Sequence, residues 1–367
     1  MKHIRQVSSI LSASMPLNKS KATLIAQIMM AFCAVRTVNL KQVVNAIHSK
    51  ATADSRYRQL QRFFASTNFC FDGLAQFIVR LFFSESARWT LTMDRTNWQY
   101  GRANINILML GICYKKRAIP VCWTLLDKKG NSNAKERIGL VSRFIRIFGT
   151  ERIDVLLADR EFVGGDWFRW LREHNIPFNI RIKKDAITTN SRGLDVDVDG
   201  LFYHLKPGEE QTLSGARKLW DESVYLAGAR LDDGELLIVA TSAPWPDSIM
   251  IYAKRWEIET LFECLKGRGF NFEATRLTEP ARVSKMVAIL ALSYCWAHKT
   301  GEWRSEQGDG IKVKKHGRLA KSLFKHGLDL LQQIGLGSCS HPITIRKCCN
   351  LMSPRAATPK NIGLFTL

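Results

Sequence analysis

Hydrophobic and polar positions along the chain change period twice. From Lys21 to Phe82 the apolar residues fall at helical spacing. Thr23–Val35 is apolar and Ala-rich, Asn39–Ile47 reads as a second helix capped by Asn39, and Thr52–Ala65 as a third. After a break at Ser66–Gly73 a further apolar helix reaches Phe83. From Arg88 the pattern becomes that of strands. Trp89–Met93 alternates and leads into Asp94, and Asn104–Tyr114 and Ala118–Leu126 are two more apolar runs joined by a Lys115-Lys116-Arg117 turn. A helix over Asn133–Phe148, a buried strand Ile153–Ala158 ending at Asp159, a helix Gly164–His174 and a strand Pro177–Ile182 complete the order β-β-β-α-β-α-β.

The next stretch, 184–246, has turn residues at Arg192-Gly193, Pro207-Gly208 and Asp232-Asp233-Gly234, with strands expected over Leu201–Leu205, Ser223–Arg230 and Glu235–Ala240. It reads as an all-β insertion. Ile251–Phe270 then reads as one amphipathic helix, followed by helices over Pro280–Lys299 and Lys321–Gln333, a basic loop at Gly308–Gly317 and a loosely ordered tail after Gly335. The expected fold class is α/β: a mixed five-stranded sheet flanked by helices, interrupted by a β insertion and preceded by a helical domain. The expected division is 1–87 helical, 88–183 and 247–300 the two parts of a catalytic core, 184–246 the insertion, and 301–367 a basic C-terminal region for DNA contact or dimerisation.

Charge narrows the partner. The formal net charge is +21, which favours a polyanion, nucleic acid first. Met1–Thr90 carries 12 Lys+Arg against 3 Asp+Glu, and Ile311–Leu367 carries 10 against 1. The totals of 54 and 33 leave 32 against 29 for the middle, so two basic ends flank a nearly neutral body. Arg56, Arg58 and Arg62 lie among Leu60, Phe63 and Phe64, as a helix-turn-helix-like DNA contact would require. A plain bundle with a basic surface has the same pattern. The longest apolar run, Met286–Ala297, is too short to span a bilayer, no secretory signal is read, and nine irregularly spaced cysteines suit a reducing cytoplasm. Cys339, His341, Cys348 and Cys349 match no known zinc spacing.

Three acids carry the candidate chemistry. Asp94 and Asp159 each end an apolar strand, and residues at strand ends converge at one edge of an open sheet. Glu259 lies on the helix after the insertion, with Arg255 a turn before it and Lys266 two turns after. Gathered carboxylates repel unless cations join them, and a pair of hard divalent ions about 4 Å apart would suit phosphodiester chemistry. Glu257 faces elsewhere on the helix, Glu263 shares the face, Glu161 reads as a surface charge, and Asp195, Asp197 and Asp199 as edge-strand charges. No GxxxxGK[ST], HExxH or GxSxG motif is present, so ATP dependence is not indicated.

Tyr252, Arg255, Glu259 and Lys266 fit a Tyr-(2)-Arg-(3)-Glu-(6)-Lys spacing, with Trp256 next to the arginine. With the DRT of Asp94–Thr96 and the LLADREF of Leu156–Phe162, these residues resemble the IS4 family of insertion-sequence transposases, of the DDE type. The resemblance spans Trp89 to about Lys299. It implies a ribonuclease-H-like core, two Mg²⁺ ions (Mn²⁺ as a substitute) held by Asp94, Asp159 and Glu259, and phosphate contacts from Tyr252, Arg255 and Lys266. It also implies double-stranded DNA as substrate, a homodimer pairing two transposon ends, a hairpin intermediate and a cytoplasmic location. Better-known relatives stack a flipped base on a tryptophan of the insertion; Trp220 is the candidate here and Trp245 the second. Two other readings stay open: a tyrosine recombinase using Tyr252 as nucleophile, and an inactive DNA-binding derivative of a transposase.

Overall fold

The computed structural model describes residues 2–354 apart from His48, Glu85, Ser191, His316 and Arg318. His316 of the expected basic loop and residues 355–367 of the expected C-terminal region therefore lie outside the described residues.

Side-chain caps set the first helices. Asn18, Asn39 and Thr52 accept from the backbone N–H of Lys21, Lys41 and Ser55, satisfying donors that a helix start leaves orphaned. They open α2 (Lys19–Val35), α3 (Leu40–Ala46) and α4 (Ala53–Ser66), with α5 (Phe71–Phe82) following. A helix absent from the sequence reading, α1 (Lys2–Ser14), precedes them; Val7 and Leu11, one turn apart, suffice to bury one stripe.

The sheet begins with β1 (Trp89–Tyr100), β2 (Ala103–Tyr114) and β3 (Arg117–Leu125), a meander of long antiparallel strands. Helix α6 (Ala134–Phe148) starts with a capping box between Asn133 and Glu136 and leads to β4 (Ile153–Ala158), α7 (Gly165–Glu173) and β5 (Phe178–Arg181). Then come β6 (Ile187–Thr189), β7 (Asp195–Asp197), β8 (Glu210–Thr212), β9 (Arg217–Leu219), β10 (Glu222–Arg230) and β11 (Leu236–Thr241). The strands run β3-β2-β1-β4-β5-β11-β10-β8 in one sheet, β9 pairs with β10, and β6 pairs with β7 alone. The expected five strands are thus neighbours, with β1-β4 and β4-β5 parallel.

Two expectations change here. The sheet has more than the expected five strands, because the insertion extends it: β11 pairs antiparallel with β5 through Val239↔Arg181 and Thr241↔Asn179. The strand expected at Leu201–Leu205 is absent. Val198–Leu201 is a 3-10 turn, and the fully buried Phe202 ring covers Gly228 of β10, where a Cβ would meet that ring at 2.6 Å.

The chain ends with α8 (Ser248–Ala253), α9 (Trp256–Leu265), α10 (Pro280–Glu306), α11 (Leu323–Gly335) and α12 (Pro342–Asn350). The tail expected to be loose after Gly335 therefore holds a helix. Cys348 and Cys349 of α12 are buried, and the Trp296 indole donates to the Cys348 carbonyl at 2.8 Å. The structure splits into two compact units. One is helical and joins Met1–Ala87 to Gly269–Thr275 and Lys285–Leu367; the other, Arg88–Arg268 with Arg276–Ser284, contains the sheet. No single helix among the described residues is long and apolar enough to cross a membrane.

Candidate active site

Parallel pairing of β1 with β4 ends at Met93↔Ala158. Asp94 and Asp159 each follow that last pair, which brings together two acids far apart in sequence. Asp94 is not at a strand end, as expected, but inside the twelve-residue β1, opposite Met109 of β2. It is the ladder with β4 that ends there, so the acid still stands at the edge where Asp159 leaves the sheet. The Arg95 and Arg160 amides donate to the adjacent carboxylates at 2.7 and 2.8 Å.

Glu259 reaches the same place from α9, which packs on β1, β2 and β3. Residues 251–270 do not form the single helix the spacing suggested. The chain breaks between α8 and α9 at Lys254-Arg255, and Lys266 lies beyond the end of α9. The sheet supplies the reason. Thr92 Oγ1 donates to the Arg255 carbonyl at 3.3 Å and Cys113 Sγ to the Lys254 carbonyl at 3.5 Å, so side chains of β1 and β2 engage carbonyls at the break. Glu257 faces elsewhere, as the spacing indicated. It accepts the Tyr114 amide at 2.7 Å, beside a two-residue turn whose Lys115 and Lys116 have φ of 48° and 68°.

Arg255 ties the acids together. It is only 5% exposed, donates to Glu259 Oε1 at 2.5 Å and reaches Asp94 Oδ2 at 3.4 Å. Burial pushes the Asp94 carboxyl up to about 7, against the Arg95 amide and the Arg255 charge; Glu161 and Asp159 raise it further. Tyr252 closes α8, buried with Ala227, Leu237, Val239 and Ile249, and its hydroxyl lies 3.4 Å from Asp159 Oδ1. Trp256 is 61% exposed beside the Arg255 guanidinium, 5.7 Å from its ring centroid. Lys266 Nζ sits 5.4 Å from the centre of the Trp98 ring and lines, with Asp94, Arg95, Glu259, Glu263 and Arg268, an open cavity of about 400 Å³.

Other expected residues lie elsewhere. Arg58 and Arg62 are exposed on α4, while Arg56 is half-buried and donates to the Ser49 carbonyl at 3.3 Å. These three belong to the helical unit. Trp220 sits in the β9–β10 turn at φ 47°, packed edge-on against Phe168 with ring centroids 5.5 Å apart. Its carbonyl lies 2.7 Å from where a Cβ at Gly165 would stand.

Glu161 is a partner of the site rather than a surface charge. It grips Arg95 with two bonds of 3.1 Å, and Arg137 donates to the Glu161 carbonyl at 2.7 Å and the Val163 carbonyl at 3.0 Å. The residue after Asp94 is thus clamped to the residue two beyond Asp159. Glu161→Gln should lower the stability of this unit by about 1–3 kcal/mol, the usual effect of unpairing a charge-assisted bond. Hydrogen exchange in β1 and β4 checks it; unchanged protection would mean that the pair is inert.

Carboxylate oxygens are the donors that hard divalent ions take, and burial without enough cationic charge is what raises Asp94. Among the described residues no three His, Cys, Asp or Glu side chains converge as a ready ligand set, because Arg255 stands between Asp94 and Glu259. The donor chemistry fits; Glu259 has to give up its ion pair to complete it.

A mixed sheet with flanking helices, with two acids set side by side at its edge, is consistent with a DDE transposase fold. Residues 80–296 match the family model of the transposase DDE domain, and the chain belongs to that family. No curated protein matches the sequence.

Proposed function

We propose that the chain is an insertion-sequence transposase of the IS4 group, cutting and joining DNA at the element's terminal inverted repeats by metal-dependent phosphoryl transfer. The observation that carries this is the placement of Asp94 and Asp159 just past the last pair of the β1–β4 ladder, with Glu259 linked to Asp94 through Arg255. In this reading the β3-β2-β1-β4-β5 portion is a ribonuclease-H-like core.

Asp94, Asp159 and Glu259 would hold two Mg²⁺ ions, or Mn²⁺ in their place. Such ions supply an activated water or 3′-hydroxyl and neutralise charge on the leaving oxygen. The protein's own groups orient the DNA. Arg255, which already spans two carboxylates, has the fork geometry for a phosphate; Lys266 adds a point charge, and Tyr252 a hydroxyl beside Asp159. Exposed Trp256 offers a face for a base. Arg58 and Arg62 on α4 give the helical unit an exposed cationic helix for the DNA. Hydrolysis frees a 3′-hydroxyl, which attacks the opposite strand to form a hairpin; hairpin opening and strand transfer follow. A homodimer pairs the two ends, no ATP is used, and the setting is the bacterial cytoplasm.

A tyrosine-nucleophile reading is disfavoured. Tyr252 is buried in an apolar cluster, and that burial pushes its phenol well above its ordinary range, against the pull of Arg255.

The test is Mg²⁺-dependent cleavage of a DNA carrying the element's own end, with wild type and Glu259→Gln. The variant should bind the end and cut at least ~1000-fold more slowly, on the order of 4 kcal/mol of lost transition-state stabilisation. A variant that still cuts, or cutting in chelator with protein trapped on the DNA, would sink the metal reading.

A further inference from the structure

The β2–β3 hairpin turns on two residues, Lys115 and Lys116, enclosed by the pair Tyr114↔Arg117. Both lysines have positive φ, 48° and 68°. A two-residue turn with both central residues left-handed is of the I′ type, for which Asn-Gly, Asp-Gly and Gly-Gly are the usual residues. Lysine has a Cβ and no short polar group to bond locally, so the backbone is strained at both positions. Strain of this kind persists only where neighbours over-determine it, and it gathers at functional positions.

The neighbours here are on α9. Glu257 accepts the Tyr114 amide at 2.7 Å. Burial raises its carboxyl, and the Tyr114, Lys116 and Arg117 amides and the Lys254 charge oppose the rise. Thr260 Oγ1 donates to the Lys116 carbonyl at 3.5 Å, and the Arg117 guanidinium donates to the Thr260 carbonyl at 3.4 Å. The helix thus holds the backbone of the turn, while the side chains of Lys115 and Lys116 stay exposed. Lys254 is exposed too, at the break before α9, where Cys113 of β2 donates to its carbonyl. Three exposed lysines therefore meet at one corner, and the acid beside them, Glu257, is engaged by backbone amides.

Asn-Gly would make the same turn without strain, so the two lysines stand there for their side chains. A row of exposed cations on a fixed backbone suits a phosphate chain. Met109, opposite Asp94, lies six residues before Lys115 on β2. That is about 20 Å at about 3.4 Å per residue, less than a duplex turn of about 34 Å. We propose that Lys115, Lys116 and Lys254 form a contact for the phosphate backbone of duplex DNA, within one helical turn of the bond cut at the acids. The proposal rests on the reading of those acids as a DNA-cutting centre.

The test is the full chain carrying Lys115→Asn and Lys116→Gly together, which relieves the turn and removes two charges. Hydrogen exchange in β2 and β3 should slow about tenfold, because the unstrained turn stabilises the hairpin. Binding should change in the opposite sense. Without divalent metal, the log–log salt slope for a fluorescent duplex of about two helical turns should be smaller than that of wild type by about 1.8, from two lost contacts at about 0.9 each. Adding Lys254→Ala should lower it by about 0.9 more, and Lys115→Arg with Lys116→Arg should leave it unchanged. No binding by wild type, a wild-type slope in the double variant, or binding lost together with exchange protection each overturn the proposal. Mg²⁺-dependent cleavage is scored separately. A protein that binds with this dependence and never cuts refutes the cleavage reading alone; one that cuts while the double variant binds as wild type does refutes this contact alone.

Discussion

Arg255→Ala is expected to destabilise the unit that carries the acids by about 3 kcal/mol, the usual result of removing one partner of a buried ion pair. The guanidinium is nearly inaccessible and holds Glu259 at 2.5 Å and Asp94 at 3.4 Å. Its loss leaves two carboxylates facing each other, one of them already pushed up to about 7 by burial. The variant should therefore gain more from added Mg²⁺ than wild type does, because a divalent ion would then be the only nearby cation bridging the pair. Arg255→Lys keeps the charge without the fork and should fall between the two. With two compact units a single unfolding midpoint is ill-defined, so the measurement is hydrogen exchange in α9 and β1 with and without Mg²⁺. Equal response of alanine variant and wild type to the ion would rule out Arg255 as an occupant of cation space.

The second large effect lies in the helical unit, where α10 and α11 cross through two glycines. A Cβ at Gly301 would stand 1.8 Å from the Leu323 carbonyl oxygen, and one at Gly327 1.9 Å from that of Ala297. Both obstacles are backbone, so a rotamer change relieves neither. Gly301→Ala should lower the stability of this unit by about 3 kcal/mol, at the upper end for overpacking. In an isolated helix the same change would add about 1 kcal/mol, so the sign itself is informative. Gly335→Ala is the internal comparison. Its nearest neighbours are the Ala34 Cβ at 2.9 Å and the Met30 sulfur at 3.1 Å; the methionine can move, and the Ala34 contact, about 1 Å longer than the one at Gly301, calls for a far smaller shift of the helices. Hydrogen exchange in α10 and α11 should rank Gly301→Ala well below Gly335→Ala in protection; a Gly301 variant as protected as wild type would mean that the helices do not meet as described.

What the sequence made legible were features written in adjacent residues. Asn39 caps the helix it was expected to cap, and Ile153–Ala158 is the buried strand its apolar run implied. What stayed hidden depended on distant partners. Thr96–Tyr100 looks too polar for a strand, yet it pairs with Ala103–Ile107 of the hairpin's other arm. The Arg255–Glu259 spacing is helical, and the break before α9 comes from bonds made by Thr92 and Cys113 on two other strands. Glu161 reads as one more charge because its partner Arg95 is 66 residues away. Helix α12 has too few apolar residues to show periodicity and is placed by two buried cysteines.

The pairing of β11 with β5 also bears on how this protein can be shortened. A segment that merely bulged from a loop between two core elements could be trimmed and the ends rejoined. Removing 184–246 here would strip β5 of its neighbour and expose a row of unpaired amides and carbonyls on Phe178–Arg181. Bare edges of this kind recruit other chains. A miniaturised version would be expected to come out of expression as aggregate, unless a replacement strand or an outward charge on β5 were engineered in.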